Sequence, residues 1–244
     1  MPSPSLKRKF KQLAENEELI NKINSLPQGE FHQRFFGSNT LLSYKEYDIS
    51  LKPILDMNKI DLNACLELIE KTSLADYKAS ERGWKPKHKL DEMHEDNMQY
   101  LLVRQRPDSM DASGSRPKTL NGDSKPADDK EANSRPPEDQ GLAGFVSFMF
   151  TIEDDYPVVY IYEIHLDESH RGCGLGRHLM DAVEHCACEG KVDKVMLTCF
   201  RRNTTALEFY TKVGFREDEF SPPPKRLRGG KLKYPSYTIM SKSL

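Results

Sequence analysis

The chain has 244 residues, of which 37% are apolar and 9% aromatic, so it can bury one sizeable core but hardly two independent ones. Its formal net charge is −2 with 30% charged residues, which excludes the chain-wide field of a general nucleic-acid binder. No apolar run approaches the roughly 20 residues of a membrane-spanning helix, and the N-terminus lacks the apolar stretch of a secretory signal. We therefore expect an intracellular protein without membrane contact.

The sequence pattern of residues 5–105 predicts two helices and two strands. Apolar residues at helical spacing predict an amphipathic helix from Ser5 to Asn24, docked on a larger body. The basic cluster KRKFK in this helix is either an import signal or, as we favour, a solvated helix face. TLLSYKEYDISL (40–51) and YLLVRQ (100–105) are strand-like, and a helix is predicted over 61–80. Its apolar stripe consists of Leu62, Cys65, Leu66 and Ile69.

Residues 106–140 have the composition of a disordered insertion. They contain no aromatic residue, and Thr119 is their only β-branched one. Such a segment cannot bury enough apolar surface to offset an ordering entropy of about 1–2 kcal/mol per residue. Lengthening a flexible loop costs only about 0.6 kcal/mol per doubling, so the strands on either side can still pair as neighbours. We predict one domain that is continuous across the insertion.

From residue 142 onward, strands and helices alternate. LAGFVSFMFTIE and VVYIYEIHL, separated by DDYP, predict a hairpin. A helix from Leu175 to Glu189, a strand KVMLTCF, a helix TTALEFYTKV and a strand GFREDEF follow, and YTIMSK predicts a last strand after the basic loop SPPPKRLRGGKLKYPS. This order predicts a mixed sheet flanked by helices, with parallel strands in its second half.

Five cysteines, an odd number without a CxxC pair, indicate reduced and mostly buried thiols. His185, Cys186 and Cys188 lie close enough in sequence to suggest a metal site. Residues two apart on a helix point to different faces, so we favour a chain without bound metal.

The stretch RGCGLG (171–176) connects an apolar strand to an amphipathic helix. Amides at a helix N-terminus favour an anion, Gly174 and Gly176 allow close backbone approach, and Arg171 and Arg177 add positive charge at the rim. The next strand ends in TCFRRN instead of the acidic residue of a dinucleotide-binding fold, and the Gly-Lys-Ser/Thr ending of a Walker loop is absent. The residues alone leave a phosphate site and an ordinary turn both open.

The order R-x-x-G-x-G (171–176), strand, Asn203 and ALEFYTKVGF (206–215) resembles the Gcn5-related N-acetyltransferase (GNAT) superfamily, which binds acetyl-coenzyme A by its pyrophosphate at such a loop. The resemblance implies an α/β fold with a single GNAT domain over 46–244, preceded by an N-terminal amphipathic helix and extension over 1–45. Acetyl-coenzyme A would be the cosubstrate, and no metal is implied.

The same resemblance implies a set of cofactor-binding residues. The backbone of Ile164 and Leu166 would pair with the pantetheine arm, residues 172–177 would hold the pyrophosphate, and Asn203 would brace the cofactor. Tyr210 would serve as an acid for the departing thiolate, with an ordinary core aromatic as the alternative. The full set is Ile164, His165, Leu166, Arg171, Gly172, Cys173, Gly174, Leu175, Gly176, Arg177, Asn203 and Tyr210.

Four stretches, DYKASERGWK (76–85), YIYEIHL (160–166), KVMLTCF (194–200) and SYTIMS (236–241), are similar to the NatD family within that superfamily. That family acetylates the N-terminal amine of histone tails beginning Ser-Gly-Arg-Gly (histones H-four and H-two-A). The resemblance implies histone tails as partners, a nucleosome or ribosome surface as a further contact, a monomer, and location in the nucleus and cytoplasm.

Glu163, Tyr162 and Tyr160 are the candidate catalytic residues. Alternate side chains of a strand share a face, so Glu163 joins the two tyrosines only if a bulge turns the strand. An α-amine with a pKa of about 7.7–8.0 needs only modest help to lose its proton. We predict Glu163 as the general base, with Tyr162 orienting the amine or relaying its proton. An exposed strand carboxylate and aromatic sheet packing are the alternatives.

Glu153 is the candidate for binding the arginine at the third tail position, because carboxylate–guanidinium pairs are geometrically specific. The family has another acid two residues earlier, where this chain has Thr151, and its Trp-Gly-Trp is Arg82-Gly83-Trp84 here. The other implied peptide contacts are Tyr77, Thr198, Ser221 and Tyr237. The basic loop KRLRGGKLK (225–233) would face nucleosomal DNA or an acidic partner, act as an import signal, or only meet solvent.

Two other functions remain open. A lysine or small-amine acetyltransferase would use the same chemistry, but a lysine ammonium with a pKa of about 10.4 needs a stronger base in a drier site. A non-catalytic module would keep the fold and bind histone tails without turnover.

Overall fold

The computed structural model describes residues 4–38, 40–107 and 141–244, with side chains from residue 8 onward. The predicted insertion lies, from residue 108 to 140, outside the described residues. The helices are α1 Pro4–Asn24, α2 Gln28–Phe36, α3 Lys59–Ala79, α4 Pro86–Met93, α5 Leu175–Gly190 and α6 Thr204–Lys212. The strands are β1 Ser43–Tyr44, β2 Tyr47–Pro53, β3 Gln99–Gln105, β4 Gly144–Glu153, β5 Tyr156–Leu166, β6 Lys194–Phe200, β7 Arg216–Glu217, β8 Lys225–Arg226, β9 Leu232–Lys233 and β10 Tyr237–Ser243.

Eight strands form one mixed sheet in the order β1-β2-β3-β4-β5-β6-β10-β7, and β8 and β9 form a separate hairpin. The predicted mixed sheet flanked by helices is confirmed. Parallel pairing is confined to β5 with β6, because β10 returns antiparallel between β6 and β7. The strands on either side of the insertion pair as neighbours, as predicted, with Val103 opposite Gly144.

The two faces of the sheet bury separate apolar clusters. Helices α1, α2 and α5 cover the first face, where Ile23, Phe35 and Leu179 are fully buried. Helices α3 and α4 cover the second face, where Cys65 and Ile69 are fully buried. Full burial of such side chains stabilises the fold by about 1.5–3 kcal/mol each. Both clusters therefore hold their helices against the sheet that carries the site.

The first turns of α1 differ from the prediction. Phe10 was expected on the buried stripe, but its side chain is 61% exposed, whereas Ile20 and Ile23 near the helix end are buried. The reason is that only the second half of α1 lies over the sheet, where the Asn24 side-chain amide donates to the Phe150 carbonyl (3.1 Å). The division into an extension over 1–45 and a domain over 46–244 stays a prediction.

The hairpin of β4 and β5 is confirmed. Its two turn residues, Asp154 and Asp155, have φ values of 48° and 73°. Two successive positive φ values are typical of the type I′ turn, which matches the twist of the flanking strands. The Asn16 side-chain amide donates to the Asp155 carbonyl (2.9 Å), which ties the turn to α1.

Strand β5 contains a bulge and separates from β6 at its C-terminal end. Glu163 pairs with Ser147 and Ile161 with Phe148, so Tyr162 is an extra residue on β5. Pairing of β5 with β6 ends at Ile161 opposite Leu197, although both strands continue beyond these residues. The edge of β5 from Tyr162 onward is therefore left open toward β6.

The cysteines are all free thiols, and Cys186 is buried while Cys188 is exposed, as expected for residues on different faces of α5. Within residues 4–38, 40–107 and 141–244, no group of three or more His, Cys, Asp or Glu side chains is arranged to hold a metal ion. Among the helices of this part of the chain, none is long and apolar enough to cross a membrane.

Candidate active site

An open groove of about 1760 Å³ begins where β5 and β6 separate. Its walls come from α3, α4, α6, the loop before α5 and the segments on both sides of the β8–β9 hairpin. Most of the predicted site residues lie along it: Tyr77, Glu153, Tyr160, Tyr162, Glu163, Ile164, His165, Leu166, Arg171, Gly172, Gly174, Gly176, Arg177, Thr198, Asn203, Tyr210 and Tyr237.

The glycine loop ends at the N-terminus of α5. Gly172 and Gly174 have φ values of 77° and 95°, in the left-handed region that favours glycine. The His178 amide donates to the Gly174 carbonyl (3.1 Å) as the first bond of α5. The preceding amides, from residues 175–177, have no intrahelical acceptor, and the helix dipole adds to their positive potential. This end of the groove has the chemistry of an anion site.

Two side chains from the N-terminal part of the chain form hydrogen bonds with this loop. The Tyr44 hydroxyl (3.1 Å) and the Lys45 ammonium (2.6 Å) both donate to the Cys173 carbonyl. The Tyr44 ring also stacks on His178, with ring centroids 4.7 Å apart. A Cβ on Gly174 would lie 2.4 Å from the Tyr44 hydroxyl oxygen, so the loop cannot carry a larger residue there.

Four predicted residues lie outside the groove lining. The Cys173 thiol is directed at the His170 carbonyl, and the Leu175 side chain is buried in the first apolar cluster, so only their backbone can meet a ligand. The Ser221 hydroxyl is bonded to Thr238 (3.0 Å) and accepts the Ile239 amide (3.1 Å), which fixes it on β10. Thr151 pairs with Val158 inside the hairpin. The peptide contacts predicted for Ser221 and Thr151 stay predictions, at residues outside the groove lining.

The arginines at the rim are partly engaged. The Arg171 Nε donates to the Leu166 carbonyl (3.1 Å), and the Arg177 Nε lies 3.7 Å from an Asp181 carboxylate oxygen on the next turn. Exposed pairs of this kind contribute at most about 1 kcal/mol, so both guanidinium groups remain able to reorient toward an anion.

Asn203 and Tyr210 lie on opposite ends of α6. The Asn203 side-chain oxygen accepts the Ala206 amide (3.1 Å) and caps the helix, and the residue also lines the groove. Burial raises the pKa of Tyr210 well above its usual range, so its hydroxyl stays protonated. That hydroxyl makes no hydrogen bond with the described residues, and its ring packs against Phe215 in the first cluster. Tyr210 is thus both a core aromatic and a free donor.

The bulge at Tyr162 brings the three candidate catalytic side chains to one face of the sheet. Without it Glu163 would point to the opposite face from Tyr160 and Tyr162. The Tyr160 and Tyr162 rings meet edge to face, 5.4 Å apart, and the Tyr160 hydroxyl is 2.5 Å from the Thr198 hydroxyl. Burial raises the pKa of Tyr162 to about 12, so both phenols are neutral at physiological pH.

Glu163 is buried, and its carboxylate accepts hydrogen bonds from three side chains. Its Oε1 accepts the Tyr77 hydroxyl (2.8 Å) and the Lys89 ammonium (2.6 Å), and its Oε2 lies 2.6 Å from His165 Nε2. Burial alone would raise the pKa of Glu163, but the Lys89 charge and the His165 hydrogen bond outweigh it and lower the pKa to about 2. The alternative of an ordinary exposed carboxylate is excluded.

The part of the groove near Tyr77 and Glu153 is aromatic and acidic. Tyr77 packs between Trp84 and Phe200, with ring centroids 5.1 and 4.9 Å away. Arg82, where the resembling family has tryptophan, lies over the Tyr237 ring at 5.9 Å. Glu153 forms no ion pair with the described residues, and burial raises the pKa of its carboxyl. This wall can receive a peptide with a cationic side chain.

Sequence reasoning missed Lys89, Thr72 and the whole of α4. Thr72 Oγ1 lies 2.6 Å from His165 Nδ1, so it fixes the second ring nitrogen. Lys89 lies 74 positions before Glu163, and one lysine in a charged segment carries no periodic signal. Only the packing of α4 on the second face of the sheet reveals the pair.

Comparison with known proteins agrees with the geometry. Residues 115–215 match the model of the acetyltransferase (GNAT) family. N-alpha-acetyltransferase 40 of Saccharomyces cerevisiae is 37% identical over 108 residues, which cover 35% of this chain and only 37% of that relative. An acetyltransferase of Streptococcus agalactiae shares the fold, with 14% identity and a TM-score of 0.51 over 82% of this chain and 100% of that one. Residues 115–215 are therefore similar to the acetyltransferase (GNAT) family, and the described residues have a fold found in a solved acetyltransferase.

Proposed function

We propose that this chain is an N-alpha-acetyltransferase that moves an acetyl group from acetyl-coenzyme A to the N-terminal serine of histone tails beginning Ser-Gly-Arg-Gly. The observation that carries the proposal is one continuous groove with an anion site at the N-terminus of α5 and the Glu163 cluster where β5 and β6 separate. The identity with N-alpha-acetyltransferase 40 supports the choice of an α-amine.

The residues present fit acetyl-coenzyme A, which supplies an acetyl group as a thioester. The amides of residues 175–177 would hold its diphosphate. The open edge of β5, from Tyr162 to Leu166, would pair with the pantetheine amides as a further strand does. The unpartnered Tyr210 hydroxyl would donate to the sulfur as the thiolate departs.

The substrate amine requires little base strength. With a pKa of about 7.7–8.0, about a third of an α-amine is already the free base near pH 7.5. The lowered pKa of Glu163, caused by Lys89 and His165, makes direct transfer of the amine proton to it less favourable than to an ordinary carboxylate. Glu163, predicted from sequence as the general base, is accordingly assigned the role of organising the site, and the proton leaves through groove water.

Tail selection is assigned to Glu153. Its carboxylate lines the groove without an ion-pair partner among the described residues, so a guanidinium at the third tail position would find an acceptor there. We further propose that the protein acts as a monomer in the nucleus and cytoplasm, on histone tails that emerge from the nucleosome or the ribosome.

The test is a panel of Ser-Gly-Arg-Gly-Lys peptides, N-terminally free or blocked, incubated with the full chain and acetyl-coenzyme A and read by mass spectrometry. We expect one acetyl group on the free N-terminus and none on the blocked peptide. Acetylation of lysine in the blocked peptide would instead indicate a lysine acetyltransferase. Tail binding without turnover would indicate a non-catalytic module.

A further inference from the structure

We propose that Lys89 is a positioning residue of this site: its ammonium fixes the Glu163 carboxylate, which in turn aims the Tyr77 hydroxyl at the substrate amine, and Glu163 does not itself take the proton. The inference rests on the proposed N-terminal acetylation. It concerns a lysine on α4 that neither the sequence motifs nor the resemblance assigns a role.

The burial of Lys89 is the first reason. Its side chain is 7% exposed, and its Nζ is 2.6 Å from Glu163 Oε1 and also donates to Glu92. A buried ammonium is unfavourable unless it is paired and hydrogen-bonded, so a lysine in this position is held by what it contacts. The Glu163 side chain is equally enclosed, with 9% exposed. This is a pair built into the wall of the groove.

The second reason is that Glu163 has little capacity left for a substrate proton. An ionised carboxylate offers about four acceptor positions. Lys89, Tyr77 and His165 occupy three of them, at 2.6, 2.8 and 2.6 Å. The remaining position, on Oε2, belongs to a side chain that is only 9% exposed, so an incoming amine has little access to it.

The third reason is that the Lys89–Glu163 pair fixes the direction of the Tyr77 hydroxyl proton. A tyrosine hydroxyl has one proton, and Tyr77 gives that proton to Glu163, so the oxygen of this groove-lining residue is left as an acceptor. It can then receive an N–H of the incoming amine and hold the nitrogen lone pair toward the thioester. His165 cannot do this, because its other nitrogen is tied to Thr72 at 2.6 Å.

Removing Lys89 should change how the site responds to pH. Burial favours the neutral acid, so without the ammonium the pKa of Glu163 rises, and a protonated Glu163 no longer accepts from Tyr77. The titratable and charged side chains that face Glu163 from the surrounding elements are Tyr77, Lys89, Glu92, Tyr100, His165 and Tyr210.

The experiment measures kcat and KM of the full-length Lys89→Met variant between pH 5 and 9 with the free Ser-Gly-Arg-Gly-Lys peptide. We expect kcat on the high-pH plateau to fall about 100-fold, within the range of acid–base and orienting groups. We also expect a second acidic limb, in addition to the limb that the substrate amine gives both proteins. Lys89→Arg keeps the charge and should restore the plateau to within about 10-fold and remove the second limb.

Two results would overturn the proposal. A Lys89→Met plateau equal to or above the wild type would show that a more basic Glu163 is the better proton acceptor. A lower plateau without the second acidic limb would show that Lys89 is merely structural. Absence of N-terminal acetylation by the wild type would refute the proposed function itself, a distinct outcome.

Lys194→Met is the matched control, since it also breaks a buried pair, with Asp218 at 2.7 Å, and it lies outside the groove lining. It should lower Tm as Lys89→Met does and leave the pH profile unchanged.

If Lys89→Met does not fold, the double variant Lys89→Met/Glu163→Gln removes both charges together. On the Glu163→Gln background the lysine change should alter kcat less than about 2-fold, and a further 100-fold loss would contradict the proposal.

Discussion

Glu153 is the residue on which tail selection depends. A charge-assisted carboxylate–guanidinium contact contributes about 1.5–3 kcal/mol, so Glu153→Gln should raise KM about 10–100-fold for a peptide with arginine third. A peptide with alanine third should show no change, because it never uses the carboxylate. Steady-state kinetics on the two peptides measure this, and an equal effect on both would refute the selective role.

Glu163→Gln tests the other acidic residue of the groove. The amide keeps the shape of the side chain but cannot accept from Lys89, Tyr77 and His165 together, so kcat should fall at least about 100-fold. Affinity for coenzyme A, measured by calorimetry, should be unchanged. Asp218→Asn is the control, because it neutralises a buried carboxylate outside the groove and should retain kcat. Unaltered turnover in Glu163→Gln would exclude a role in the reaction.

At the residue scale, the sequence predicted much of the site but not the residues from distant parts of the chain that contact it. Tyr160, Tyr162 and Glu163 could be named together because they are consecutive, provided the strand carries a bulge. Lys89 could not, because the contact joins distant parts of the chain. Ser221 stays a prediction as a peptide contact, and its hydroxyl is bonded to Thr238 and Ile239 within the fold.

The loop before α5 is the element that should bind the cofactor. Gly174→Ala places a methyl group 2.4 Å from the Tyr44 hydroxyl oxygen and forces a non-glycine residue to a φ of 95°. We expect affinity for coenzyme A to fall at least about 10-fold, with peptide binding retained. Gly229→Ala has no atom within 4 Å and is the control. Unchanged coenzyme A affinity in Gly174→Ala would show that the loop does not contact the cofactor.

The elements that the sequence predicted well are those with a clear period or composition. The helix predicted over 61–80 is α3 Lys59–Ala79, and the strand predicted over 100–105 is β3 Gln99–Gln105. The strand GFREDEF is reduced to Arg216–Glu217, because Phe215 turns into the core and Asp218 pairs with Lys194. The helix α4 was missed, because a segment of eight residues, half of them charged, carries too short an apolar pattern.

At the scale of the whole molecule, the flanking strands and not the insertion should determine the fold. Since β3 and β4 pair directly, replacing residues 108–140 with a Gly-Ser linker of about eight residues should preserve Tm within about 3 °C and leave kcat within about 2-fold. Thermal unfolding monitored by circular dichroism and the peptide assay measure both. A variant that no longer folds cooperatively would show that the replaced segment belongs to the domain.

The stability of the molecule should also depend on Glu163 in a defined pH range. Its pKa is lowered from 4.5 to about 2 on folding, so its contribution is fully present above pH 4.5 and is lost as pH falls toward 2. The Lys89→Met/Glu163→Gln variant should therefore lose less Tm than the wild type between pH 5 and 3. Parallel Tm curves for the two proteins would contradict the ion pair.

The central claim is that the amides at the start of α5 grip a diphosphate and direct a thioester toward the Glu163 cluster. Calorimetric titration of the full chain with coenzyme A and, separately, with pantetheine, which lacks the diphosphate, tests it most directly. We predict measurable binding of coenzyme A and at least about 100-fold weaker binding of pantetheine, as expected for lost charge-assisted hydrogen bonds. Equal affinities, or no heat with coenzyme A, would contradict the account.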